Sequence, residues 1–254
     1  MSDAKPEDGG PLGRVIFAAR PVVLAIFLVV TAILGFQTSG LRSDAGFEKM
    51  VPTEHPYIAK FLEHREALGG LANVVRIVVV AKEGTILDAD YLETLRQITD
   101  EVFYLPGVDR GNLKSLWTPN MRWMAVTAEG FSGGPVIPRS YDGSPGSLEE
   151  VGENIRRSNQ VGILVANDFK STIIQAPLVT TDPETGEPLD YAAFSTALEE
   201  KVREKYQNEQ IGIRITGFAK LVGDLIDGVT VIAVFFVVAL GIMGVLLVAY
   251  TRCL

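Results

Sequence analysis

A single cysteine, Cys253, in the whole sequence excludes an internal disulfide framework and any zinc site built on paired cysteines. Histidine is almost as scarce. His55 and His64 are the only two, they lack HExxH spacing and a neighbouring cysteine, and solvated side chains explain them before a metal does. A P-loop is missing as well, for the glycine-rich stretch from Gly130 lacks the Lys-Ser/Thr that a phosphate cradle needs. The chain therefore reads as a non-enzyme, with no catalytic, cofactor-binding or metal-ligating residue to name, no cofactor required, and its substrate-binding residues unassigned. Positive charge is in short supply, with 23 Lys and Arg against 31 Asp and Glu and a net charge of -8. Nucleic acid is excluded as a partner, because its binding needs a concentrated cationic surface.

What is present, and abundantly, is uncharged apolar sequence. Gly228 to Tyr250 reads GVTVIAVFFVVALGIMGVLLVAY with Asp227 before it and Arg252 after it. A helix needs roughly 20 mainly apolar residues to cross about 30 Å of hydrocarbon, so this run has the length of a membrane span. Pro21 to Leu41, between Arg20 and Arg42, is a second such run. A cleaved signal peptide is the alternative for it. Its apolar core exceeds the roughly 7 to 15 residues usual for a signal, and the exit Gln37-Thr38-Ser39-Gly40 lacks an A-x-A pattern, which favours a retained span. Arg14 and Arg20 before the first run and Arg252 after the second place both ends in the cytoplasm and the acidic middle outside. The resulting map has a cytoplasmic segment at 1–20, a first span at 21–41, an external domain at 42–222, a second span with its interfacial lead-in at 223–250, and a cytoplasmic end at 251–254, expected to be a truncation.

Within the middle, Pro56 can open a helix that Gly69-Gly70 closes, with Ile58, Phe61, Leu62 and Leu68 on its apolar face. Val74 to Ala81 is a β-branched run suited to a buried strand. Asp90 and Glu93 have capping-box spacing, and Tyr91, Leu95, Ile98 and Val102 recur at helical period up to Tyr104. Val108 to Trp117 and Arg122 to Ala128 read as short strands joined at Pro119-Asn120. Gly130 to Ser147, dense in Gly, Pro and Ser, reads as an exposed loop without regular structure. Ser147 with Glu150 then predicts a helix through Val151 and Ile155. A strand at Ser171 to Thr180, a turn through Asp182-Pro183 and Gly186-Glu187-Pro188, a helix at Asp190 to Tyr206 carrying Tyr191, Phe194, Leu198 and Val202, and a strand at Ile211 to Thr216 complete the domain. The order strand, helix, strand occurs twice, and the helix starts Leu87-Asp88-Ala89-Asp90-Tyr91 and Leu189-Asp190-Tyr191 share wording. Two β-α-β units, with helices mainly on one face of a sheet, make an α/β (α+β) domain flanked by two transmembrane helices.

The acidic pairs Asp88 with Asp90, Glu149 with Glu150 and Glu199 with Glu200 fall at helix starts or on solvated faces, where the helix dipole or water accounts for them. Asp224 and Asp227, just before the second run, suit helix capping or solvation first and ion handling second. Neither apolar run contains Asp, Glu, Lys, Arg or His, so neither supplies a proton relay. Ala239, Gly241 and Gly244 permit close approach by another helix.

The arrangement of one span, an α/β domain, and a strand and Gly217 leading into a second span resembles the N-terminal portion of the resistance-nodulation-division superfamily, especially its MmpL-like exporters. Phe47, Val51-Pro52, His55-Pro56, Leu68-Gly69-Gly70 and Asn73 before the strand Val75 to Val80 carry the likeness, which extends over residues 15–254. It implies a multi-pass transporter of the bacterial inner membrane, driven by protons through helices absent from this chain, with residues 42–222 as a periplasmic porter domain of β-α-β type. Membrane lipids or other hydrophobic compounds, further transmembrane helices and a second copy of the chain are the partners it suggests. Phe131, Val136, Ile137 and Tyr141 make the loop Gly130 to Ser147 a candidate lip for such substrates, a plain surface loop being the alternative. A two-span receptor with a ligand-sensing outer domain and a lost cytoplasmic module is the rival reading of the whole chain.

Overall fold

A computed structural model describes residues 19–38, 52–64, 73–128, 130–179, 181 and 186–251. Arg14, Leu68 with Gly69-Gly70, Asp182-Pro183, Arg252 and Cys253 lie outside the described residues. Helix α1, Arg20–Thr38, belongs to one compact unit; everything from α2 onward belongs to a second. In α1, apolar side chains all round the helix stand exposed, among them Val22, Ile26, Phe27 and Leu34. Its 19 residues rise about 28 Å.

The second unit opens with α2, Pro56–His64, whose Ile58, Phe61 and Leu62 are half-buried. Strand β1, Val74–Ala81, follows and alternates strictly: Val75, Ile77, Val79 and Ala81 are buried while Arg76 is exposed and Val74, Val78 and Val80 are half-buried. The continuous apolar run thus buries one face fully and the other in part. Helix α3, Ala89–Tyr104, lays Tyr91, Leu95, Ile98 and Val102 into the core, the face its periodicity predicts. Tyr91 also fastens it to the sheet: its hydroxyl donates to the Val79 carbonyl at 2.8 Å and lies 2.8 Å from Thr172 Oγ1, and burial pushes the phenol's pKa well above its usual range.

Val108 to Trp117 is not a strand. The Asp109 carboxylate accepts from the amides of Gly111 and Asn112 and folds the segment into a turn, which leaves isolated bridges at Val108 and Lys114. Nor is Gly130 to Ser147 irregular throughout: β2, Arg122–Thr127, pairs antiparallel with β3, Gly130–Pro135, in a hairpin, and only residues 136–144 lack regular structure as expected. Helix α4, Pro145–Arg157, is capped by Ser144 rather than Ser147, just as α3 is capped by Asp88 rather than Asp90. In both, the residue whose oxygen reaches the third amide onward lies just ahead of the residue chosen from spacing.

Strand β4, Ser171–Pro177, helix α5, Tyr191–Leu198, strand β5, Ile211–Thr216, and helix α6, Phe218–Thr251, complete the chain. The main sheet has the order β4-β1-β5, with β1 antiparallel to both neighbours. Strands β4 and β5 are therefore parallel, and the crossover through α5 passes over β1. On the far side of β4, the bridges Val108 to Leu178 and Lys114 to Gln175 set the segment after α3 antiparallel to β4. The two predicted β-α-β units interleave, each straddling one strand of the other, which is the split β-α-β plan. Between sheet and helices the largest wholly buried side chains include Ile77, Leu92, Leu95, Ile98, Ile174 and Leu198.

Helix α6 has 34 residues and rises about 51 Å, well beyond the ~30 Å of a hydrocarbon core. Its start explains the surplus. Ala219 and Val222 are buried in the domain, whereas the apolar residues from Val229 to Tyr250 stand exposed. By length and composition Phe218–Tyr250 can cross a membrane.

Candidate functional site

Chemistry gathers where α6 leaves the domain. Strand β5 ends at Thr216, and Gly217 turns the chain with φ at +142°, a conformation that disfavours any side chain. A Cβ there would also lie 2.6 Å from the Val74 carbonyl oxygen. The first turns of α6 then lie against α5 and β1. Gly223 makes the closest approach, since a Cβ on it would fall 2.2 Å from Ser195 Cβ and 3.1 Å from the Tyr191 carbonyl. Asn73, 3% exposed, donates to the Tyr191 hydroxyl at 3.0 Å, and the Tyr191 ring meets Phe218 edge-on at 5.7 Å.

Into this contact α6 projects Lys220, 6% exposed. A buried ammonium needs partners, because the desolvation of an isolated charge outweighs ordinary packing gains. It has three: Glu199 Oε1 at 2.7 Å, Ser195 Oγ at 3.3 Å, and the Asp224 carboxylate one turn onward. Glu199 is shared, its other oxygen lying 2.9 Å from Arg203. The backbone under Glu199 is unusual. Helix α5 does not run on regularly to Tyr206 as its periodicity predicts; residues Glu199–Arg203 form a π-turn, with the Glu204 amide bonded to the Glu199 carbonyl, before the last turn, Glu204–Tyr206. Single π-turns inside α-helices recur at functional positions. Beyond it, Lys205 pairs with Glu101 of α3, and the Tyr206 hydroxyl lies 3.5 Å from the same carboxylate.

The other acidic pairs fall as follows. Asp88 caps α3, while Asp90, Glu149, Glu150 and Glu200 are exposed. Glu199 is corrected from a solvated face to the ion network. Asp224 and Asp227 are corrected as caps, for both lie well inside α6; Asp224 pairs with Lys220, and Asp227 is exposed. His55 and His64 are exposed, and His55 stacks on Tyr57 at 5.5 Å. Of the candidate lip, Val136 and Ile137 are buried and Tyr141 packs edge-on against Trp117, so only Phe131 stands out, beside Met124 and Val126 on the outward face of the β2-β3 hairpin. Gly241 and Gly244 have open space around them. Sequence reasoning missed Lys220 altogether. Its signal was a lysine set among the apolar Phe218, Ala219 and Val222 with Asp224 four residues onward.

No family model matches the chain. A candidate membrane protein of Methanocaldococcus jannaschii is 28% identical over 94 residues, a match that covers 34% of this chain and 24% of that protein's length. Membrane association is thus suggested twice, by the length and composition of α6 and by this similarity.

Proposed function

We propose that this chain forms the membrane-anchored N-terminal part of an exporter of the resistance-nodulation-division type, in which the split β-α-β domain serves as a porter unit for lipids or other hydrophobic compounds. The observation that carries the reading is the continuity of β5, Gly217 and α6, which joins the domain's sheet to an apolar helix with one glycine between them. A domain so joined moves with its helix, as a transporter requires. Helix α1 supplies the other anchor, with residues 42–222 in the periplasm and both ends in the cytoplasm. No Asp, Glu, Lys, Arg or His interrupts Gly228 to Tyr250, so the proton relay belongs to other helices, which Ala239, Gly241 and Gly244 admit at close range.

Two measurements test this together. In intact spheroplasts, a maleimide that cannot cross the inner membrane should label a cysteine at exposed Glu209 and leave native Cys253 untouched until the membrane is opened. Deleting the gene should slow the efflux of labelled lipids or hydrophobic dyes. Labelling of Cys253 in sealed spheroplasts would overturn the topology, and unchanged efflux across such a panel would overturn the exporter.

A further inference from the structure

We propose that the Lys220 cluster is a latch by which the position of α6 sets the register of the π-turn in α5 and, through it, the contact of α5 with α3. The path is continuous. Lys220 reaches from α6 to Glu199 at 2.7 Å; Glu199 begins the π-turn and holds Arg203 at 2.9 Å; the π-turn feeds the last turn, whose Lys205 and Tyr206 both contact Glu101 on α3. A π-turn stores one residue more than an α-turn, so it has two discrete arrangements, kept in place or released along the helix. Release by one residue would turn everything after it by about 100° and carry Lys205 and Tyr206 away from Glu101. Such a bistable element is what coupling between separated sites requires.

Geometry also says why α6 controls the choice. Gly223 lets α6 sit so close to Ser195 that a small lift or slide of the helix must draw Lys220 from Glu199. Lys220, with 8% of its side chain exposed, depends on those partners to keep its charge. The groups facing it are Glu199, Ser195 and Asp224, and none of them is replaced by another acid on β1 or β5. The inference concerns contacts within this chain and stands for an exporter or a receptor alike.

Hydrogen exchange on the full chain in lipid nanodiscs tests it. Lys220→Met should raise amide exchange over residues 202–206 roughly tenfold and leave β1 and β4 unchanged. Glu199→Gln, which keeps the side chain's shape, should give the same pattern and serves if the first variant does not fold. Coupling is reciprocal, so Glu101→Gln, far from α6, should raise exchange over residues 219–223 several-fold. Unchanged protection at 202–206 in Glu199→Gln, a rise spread evenly over β1 and β4, or no effect of Glu101→Gln on α6 would each overturn the latch.

Discussion

At the scale of single residues, two kinds of position decide how α6 is held. Gly217 combines a positive φ with a carbonyl in the place of a Cβ. Gly217→Ala should therefore cost about 2 to 4 kcal/mol in thermal or chemical unfolding of the domain, strain and steric conflict together. Gly228→Ala, with open space around it, should cost nothing and add slightly to helix stability. Equal effects of the two would contradict the close approach at Val74. Glu93 illustrates a surface charge that reports its neighbours: its carboxylate accepts from Arg96 and Gln97, and these bonds lower its pKa from the ordinary 4.5 to about 2. A depressed carboxyl contributes stability that is present above its unfolded value and lost as pH falls through the folded one, so the contribution should fade between pH 4.5 and about 2. Both partners are nearly half exposed, which keeps the contribution small. Carboxyl titration by NMR checks the shift, and Arg96→Gln should raise the midpoint.

At the scale of elements, helix starts and faces behave differently. Faces follow from period, and the predicted stripes on α3 and α5 are buried as expected. Starts depend on which oxygen reaches which amide. Asp88 accepts from the Tyr91 amide and Asp190 from those of Ala192 and Ala193, so Asp88→Ala or Asp190→Ala should destabilise the domain by about 1 kcal/mol in denaturant unfolding. Asp90→Ala should have little effect. Reversal of that order would return the cap of α3 to the position chosen from capping-box spacing. The β2-β3 hairpin shows the limit of local reading, because glycines at 130, 133 and 134 carry no side chain to alternate and the pairing is imposed by β2 across the turn.

At the scale of the whole second unit, the β-α-β repeat is legible while its interleaving is not. Two strand-helix-strand stretches could lie side by side or straddle one another, and only long-range antiparallel pairing of β1 with both β4 and β5 selects the second. That choice places the end of β5 beside the start of β1, which is where α6 must begin. From there its first turns can dock on α5 before the helix continues as an exposed apolar rod.

The sequence by itself determined what depends on composition along a short stretch: an acidic chain, an apolar run long enough to cross a bilayer, strands of β-branched residues and helices with one greasy face. Those properties arise from neighbours within a few turns, so no partner is needed to read them. Tertiary structure alone decided the strand order, the hairpin, the π-turn and the burial of Lys220 against Glu199. Strand order and the Lys220–Glu199 contact join residues distant along the chain, and a lysine becomes a buried ion-pair partner only when another helix closes over it.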